Sequence, residues 1–463
     1  MSNMSGLGLG PEDFEVGDIQ GRFSGDYEAF QKALSFSYNE PIGDTTDALR
    51  AESLDATLRI LTDSLSRYSL YHSVPKVRVT GNVHEYALQT SEGDSNDSTF
   101  VNSGELPSVQ DSQFSRKSIN IMYMGSVRTI HHQALVTGSI DNLMNIETRN
   151  GMNHMIARLN NNLYTMDSDC IDGSFDSFTK QIEDGNGHVI DLLGEPLNKR
   201  TIEEASFLSS DNNGNATEFF TAQKVISDFS NVYDSSQRWN VPNTATYAGT
   251  PISGINTTNG GVMFKPDVSI KTGQTPPTAA SSSHSPSTPT ISGNPAVATS
   301  AESKFSASDA GAYRYAVSGL NKYGESAAVV VTAATTVQAG RQVTVTIVDG
   351  GGTNPATCYK IYRSEKDGTD RTFIGYTQPR TRSGNSFAAN TVFIDRNIYR
   401  PNTFTGLLLD LSTQSLAYAE LMAMGRFPLA RIAPTVSWMQ LMYGTPIVYA
   451  PRRNVIIRNI GKA

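Results

Sequence analysis

Cysteine is scarce. The 463-residue chain has two, Cys170 and Cys358, far apart and without metal-type spacing, which excludes a disulfide scaffold and a zinc-finger framework. The pair could form one disulfide, but two free thiols in a reducing compartment are the expected state. Nowhere do about 18 apolar residues run unbroken, so no membrane-spanning helix is expected. The opening MSNMSGLGLGPEDFEVGD has no basic stretch followed by an apolar core, so it does not read as a signal peptide. Basic residues are in deficit: 37 Lys and Arg against 45 Asp and Glu, a net charge of -8. That balance argues against a dedicated nucleic-acid binder.

Catalytic grammar is missing as well. There is no GxxxxGK[ST] loop, no GxGxxG after a strand, no HExxH and no GxSxG. MDSDCIDG (Met166 to Gly173) sets out acids as a calcium loop does, but the spacing is one residue off and no closing Glu follows. It reads as an acid-rich turn. His131 and His132 are neighbours on a predicted strand, so their side chains point to opposite faces and cannot share a metal. His154, on a predicted helix, has no second ligand at i+4. No catalytic residue, cofactor or metal site is expected.

What is present is a sequence of contrasting textures. At 463 residues, two or three structural units are the prior. Residues 1–43 are acidic and weakly periodic, as an arm is. In 44–76, Leu49, Leu54, Leu58, Leu61 and Leu65 recur near helical spacing after a possible cap at Asp44 or Thr46. Residues 77–125 hold two alternating segments, VPKVRVTGNVHEYALQT and RKSINIMYMGSVRTI, around a long polar stretch, which predicts an extended β-hairpin finger. That finger has no Lys or Arg between Arg78 and Arg116 but carries Glu85, Glu92, Asp94, Asp97, Glu105 and Asp111. It needs something basic to lie against. Residues 126–165 contain a long amphipathic helix from about 139, with Met152, Met155, Ile156, Leu159 and Leu163 on one face and Ser139 or Asp141 as cap. Residues 166–271 alternate short helices and strands, among them FDSFTKQIED, a helix opened by Thr201 and Glu204 as a capping box, and ATEFFTA running into QKVISDFSNVY.

Residues 272–303, TGQTPPTAASSSHSPSTPTISGNPAVATSAES, are almost all Ser, Thr, Pro, Ala and Gly. They cannot bury enough apolar surface to order themselves, and are expected to form a linker. Residues 304–400 then read as a β-sandwich with Gly and Asn turns; YAVSGLNKYGES and YKIYRSEKDG are similar to fibronectin type III and related immunoglobulin-like modules. Residues 401–463 revert, with STQSLAYAELMAM expected as a helix before alternating strands. About 60 residues are marginal as an independent domain, so this tail is expected to complete the fold begun before the linker. It concentrates Arg426, Arg431, Arg452, Arg453 and Arg458 in an acidic chain. These arginines suit contact with enclosed nucleic acid, an acidic neighbour, or simple solvation.

The order of arm, helix, finger, long helix, small α/β lobe, inserted sandwich and closing tail resembles the major capsid proteins of tailed bacteriophages, the Hong Kong 97 fold. LMAMGRFPLARIAPTVSWMQLMYGTPIVYAPRRNVIIRNI looks like the closing segment of capsid proteins from large contractile-tailed phages. DALRAESLDATLRILTDSLSRYSLY and ATEFFTAQKVISDFSN look like other parts of the same proteins. The resemblance implies an α+β fold with a Hong Kong 97-like arm, extended loop, peripheral domain with a spine helix, and axial domain, interrupted by an inserted immunoglobulin-like sandwich. It implies a non-enzymatic shell subunit that forms hexamers and pentamers of an icosahedral head around double-stranded DNA. The implied partners are further copies of itself, portal, scaffold or maturation protease, decoration proteins, and packaged DNA held non-specifically. The implied locations are the virion and, before it, the host bacterial cytoplasm. Some members carry a Lys–Asn crosslink; with no lysine in the finger before Lys117, that chemistry is not carried over.

The expected interface sets Glu92, Asp94, Asp97, Glu105 and Asp111 of one finger against Arg452 or Arg453 of an adjacent subunit. The sandwich is expected to project outward on a flexible tether. An encapsulin-type compartment is the alternative, distinguished by a protein cargo. A fibronectin-like surface-binding protein is a further one, and it would need an export signal.

Overall fold

The computed structural model describes residues 65–462, apart from 94–99, 107–108, 137–142, 235–251, 272, 379, 381, 384–385, 388–389 and 432. The expected arm, nearly all of the first helix and the cap at Ser139 or Asp141 lie outside the described residues. A short helical turn, Ser69–Ser73, buries Leu70 and Tyr71. It leads to β1 (Lys76–Arg78), β2 (Val83–Ser91), β3 (Gln113–Asn120) and β4 (Met122–His131). Then come α1 (Leu143–Thr165), α2 (Phe178–Asp184), β5 (His188–Asp191), α3 (Lys199–Asp211), β6 (Glu218–Thr221), α4 (Gln223–Asp234), β7 (Gly254–Thr257) and β8 (Gly260–Pro266). A β-rich stretch follows, with β9 (Thr290–Ile291), β10 (Ala296–Thr299), β11 (Tyr315–Asn321), β12 (Arg341–Val348), β13 (Cys358–Ser364), β14 (Arg371–Tyr376) and β15 (Asn390–Asp395). The last strands are β16 (Phe404–Leu409), β17 (Leu416–Pro428), β18 (Thr435–Val448) and β19 (Val455–Ile460). The fold is α+β.

Two sheets organise the base, and each takes strands from both ends of the chain. The first runs β1–β17–β18–β4 and the second β5–β19–β16–β6–β8–β7. α1 lies against the first because Met155, Leu159 and Leu163 recur at i, i+4 and i+8, making one apolar stripe. That stripe packs with Phe178, Tyr418 and Met442 in one core. A second core joins Ile202 and Ala205 of α3, Val225 and Phe229 of α4, and Phe219, Leu408, Val455 and Ile457 of the second sheet. Among the described residues, no helix is long and apolar enough to cross a membrane.

The β-rich stretch is two antiparallel sheets face to face. β12 pairs with β10, β15 and β9, while β13 pairs with β11 and β14. Val343, Val345 and Ile347 from one sheet meet Tyr315, Val317, Tyr359 and Ile361 from the other. The alternating burial of β12 is the period-two pattern of a strand with one face inward.

Four expectations need correction. The Ser/Pro-rich segment is no free tether: β9 and β10 lie inside it and pair with β12. Further backbone groups in it are bonded outside the strands, Ser281 N to Glu325 O at 2.9 Å, Ala328 N to Pro277 O at 2.8 Å and Phe373 N to Gln274 O at 3.0 Å. Such a segment has too few apolar side chains for a core of its own, but the sheet edges that follow it satisfy its backbone.

STQSLAYAELMAM is not a helix either. Leu416 to Ala419 are buried in β17, between parallel β1 and antiparallel β18. Good helix formers are overridden here by burial on both sides, the case in which a short apolar run does not reveal its period. α3 starts earlier than the capping box predicted: Asn198 is the cap, its Oδ1 accepting from Thr201 N at 2.9 Å. Finally, β4 ends at His131, and His132 opens a short helix, His132–Val136.

Candidate subunit interface

β2 and β3 pair from Val83 opposite Asn120 to Ser91 opposite Gln113, forming a two-stranded sheet joined to no other. None of their residues is buried. The root of this finger is anchored: Tyr86 meets Tyr449 edge-on at 4.9 Å, and Tyr86 and Ile119 lie on a small core of Val79, Ile121, Ala419 and Ile447. Beyond the root, local contacts support the finger. Arg116 pairs with Glu85 at 2.6 Å, and Glu105 closes a turn through its amide on Asn102 O at 3.0 Å.

Of the acids expected at the interface, Glu92, Glu105 and Asp111 are exposed, while Asp94 and Asp97 lie outside the described residues. Arg452 and Arg453 fall in a 3-10 turn, Pro451–Arg453. Arg452 is exposed and Arg453 half-buried. The Arg453 carbonyl accepts from Ser209 Oγ at 2.6 Å, which ties the turn to α3. Within one chain the acids and this arginine pair are not brought together by any contact among the described residues. The other tail arginines divide. Arg426 lies over the Trp438 ring at 4.7 Å, Arg458 pairs with Glu183 at 3.7 Å, and Arg431 is exposed. Burial raises the Glu183 carboxyl above its usual range, an effect partly offset by Arg458 and the Tyr399 hydroxyl.

Counting charges missed the finger's apolar residues. Phe100 is 92% exposed, Leu106 94% and Val109 89%, with Phe114 close behind. Large apolar side chains clustered in solvent mark an interaction surface. The signal was legible in STFVNSGELPSV, whose Phe, Val and Leu break an otherwise polar run.

The acid-rich turn holds an internal cation. Lys180 Nζ bonds Asp167, lies 2.6 Å from Asp169 and 3.8 Å from Asp176. Burial opposes the ammonium, but these carboxylates prevail and hold it well above its usual range. No group of three or more His, Cys, Asp or Glu able to hold a metal occurs among the described residues. A cleft of about 560 Å3 lies beside this cluster, lined by Lys180, Glu183, Tyr376, Tyr399 and Arg400 among others.

The sandwich is clamped to the base, against the expectation of a flexible tether. Lys304 meets Asp191 at 2.6 Å, and Asn459 Nδ2 donates to the same carboxylate at 2.7 Å. At the sandwich's last residue, Arg400 donates its amide to Asn459 Oδ1 at 2.8 Å, while its side chain grips Asp309 within the sandwich with both terminal nitrogens at 2.9 and 2.8 Å, the two-pronged geometry that suits guanidinium and carboxylate.

No protein-family model matches the chain. Over 425 residues it is 23% identical to a "Putative major capsid protein" of Enterococcus phage phiEF24C, covering 89% of this chain and 90% of the relative. The kinship in sequence is thus with a phage major capsid protein. Among solved structures, the chain is similar to the capsid of a native GTA particle, with a TM-score of 0.47, 8% identity, and 91% of this chain and 99% of that one covered. The capsid of the cyanophage P-SCSP1u gives a TM-score of 0.45 at 9% identity, with 92% and 97% covered. The SrpI encapsulin of Synechococcus elongatus PCC 7942 gives 0.40 at 7% identity, with 92% and 98% covered. Likenesses this distant decide nothing between a phage head and another shell.

Proposed function

We propose that the chain is the shell subunit of an icosahedral phage head, assembling as hexamers and pentamers around double-stranded DNA on a Hong Kong 97-like fold. In this reading β2 and β3 are the extended loop, α1 with the first sheet is the peripheral domain, and the second sheet with α3 and α4 is the axial domain. Residues 304–400, with β9 and β10, are an immunoglobulin-like insertion. The subunit is made in the host cytoplasm and meets portal, scaffold, maturation protease or decoration proteins there.

The observation that carries the proposal is the finger. A two-stranded ribbon is marginal alone in water, and this one exposes Phe100, Leu106 and Val109 almost fully. Such an element is stabilised by a neighbour, so ordering and assembly are coupled. Its exposed acids, with Arg452 presented on an exposed turn, give the same contact a charge register.

Expression of the full chain, alone and with a scaffold, followed by negative-stain electron microscopy and light scattering, tests the proposal. Closed uniform shells are expected, with nuclease-protected DNA in native particles. A persistent monomer under both conditions overturns the shell reading, and a protein cargo in place of DNA makes the shell a compartment. The variant R452E/R453E is expected to stay soluble and fail to close shells. Normal shells from it remove the charge pairing but leave the shell reading intact.

A further inference from the structure

Cys170 and Cys358 come from different lobes. Cys170 sits in the acid-rich turn after α1, and Cys358 opens β13 of the sandwich. Both are buried and unbridged. With Leu320 they form a small core of their own, against which Ile171 and Tyr376 pack. The seam around them is bonded on both sides: the Thr357 hydroxyl donates to the Cys170 carbonyl, and the Cys170 thiol lies 3.9 Å from Thr377 O. The two side chains thus share one small buried cluster across the seam.

A buried cysteine is usually a small apolar filler. Two of them, packed in one cluster where two lobes meet, are also one oxidation away from a covalent bridge. We infer that Cys170 and Cys358 form a latent disulfide, which an oxidant closes to weld the sandwich to the base. Closure removes two protons and two electrons from the two thiols. A low-molecular-weight disulfide such as oxidised glutathione accepts them, leaving as two thiols after a mixed-disulfide intermediate. Burial pushes the Cys358 thiol up. The Cys358 thiolate is therefore scarce, so its attack is slow at neutral pH and faster as pH rises.

The pair stays open in a reducing compartment and closes outside one. For a shell made in a cell and released from it, that sequence of environments adds a bond after assembly. The timing rests on the shell-subunit reading; the thiol chemistry does not. The closed loop spans much of the chain, and long loops are those for which a crosslink most restricts the unfolded state in the chain-entropy account.

The test uses the purified full chain, held with oxidised glutathione in mildly alkaline buffer, then denatured, alkylated, and digested without reduction for mass spectrometry. The expected result is loss of both alkylatable thiols within one chain and a linked peptide containing Cys170 and Cys358. A rise in the thermal midpoint that dithiothreitol reverses should accompany it. C170S and C358S should each abolish the linked peptide and the rise, while unfolding near the reduced wild-type midpoint. Two thiols that remain alkylatable, separate glutathione adducts on each, or bridges between chains all overturn the proposal. None of these readouts depends on shell formation, so failure here and failure of the shell reading are separable.

Discussion

Gly151 of α1 faces the Gln440 side chain of β18 so closely that a Cβ at position 151 would overlap its amide. Gln440 is buried, and its Nε2 donates to the Thr148 carbonyl one turn earlier in α1, at 2.8 Å. The missing side chain lets helix and sheet approach, and the glutamine fixes their register. G151A gains up to about 1 kcal/mol of helix propensity. Overpacking at a rigid contact costs about 1–3 kcal/mol, and that term should win. Urea unfolding should therefore show a lowered midpoint for G151A, partly recovered in G151A/Q440A. An unchanged midpoint would mean that Gln440 swings aside at no cost.

Asn160 and Asp267 hold a second junction. Asn160 Nδ2 donates to Asp267 Oδ1 at 2.9 Å and to Ser269 Oγ at 2.8 Å, while its Oδ1 accepts from Tyr71 N at 2.9 Å. Asp267 Oδ2 accepts from Leu70 N at 3.0 Å. One amide and one carboxylate thus tie the turn Ser69–Ser73, α1 and the segment after β8. Asn160→Leu keeps the branched shape but takes the amide's bonds from Asp267 and leaves the Tyr71 amide unpaired, for an expected loss of about 3 kcal/mol. Chemical denaturation measures it, and a loss below about 0.5 kcal/mol, the range of surface substitutions, would show the network to be redundant.

How far these junctions were readable from sequence depends on separation along the chain. The stripe Met155, Leu159, Leu163 is a local period, and it predicted α1 and most of its buried face, although Met152, expected there too, is 41% exposed. The finger strands alternate locally and were equally legible. β17 was not, because AYAELMAM has good helix formers and only its two neighbours, β1 and β18, make it a strand. The order inside 272–303 is likewise supplied by β12, from residues that lie after it. At the candidate interface the acids were visible as a count, whereas the apolar tip was hidden among Ser, Gly and Asn. Nothing in the spacing of Cys170 and Cys358 announces that they meet.

The ion pairs at the seam, one across it and one at the sandwich's own edge, should be sensitive to acid. Asp191 and Asp309 are both held below the usual carboxylate range. Burial opposes this in each, but Lys304 and Asn459 outweigh it at Asp191, and Ser306 and Arg400 at Asp309. A carboxyl with a depressed folded value stabilises above its unfolded value, about 3.9, and loses that contribution as pH falls through the folded value. Stability is thus expected to hold from neutral pH down to about 4 and to decline below it through these two groups. In D191N/D309N the neutral-pH midpoint should drop and the decline below pH 4 should flatten. Parallel acid limbs for wild type and variant would assign the decline to other carboxylates.

The finger offers two kinds of contact, and salt separates them. Glu92, Glu105 and Asp111 are exposed charges whose attraction to a neighbour's arginine is screened over about 8–10 Å at ordinary ionic strength. Phe100, Leu106 and Val109 contribute through area removed from water, roughly 25 cal/mol per Å2, which added salt does not weaken. Replacing all three with Ser touches no buried contact, so each change should alter subunit stability by no more than about 0.5 kcal/mol. Assembly followed by light scattering should nevertheless fail in the triple variant at low and high salt alike. In R452E/R453E it should fail most at low salt, where reversed charges repel best, and recover in part as salt rises. If the triple Ser variant assembles normally, the apolar tip is not part of the contact and the charges alone set it.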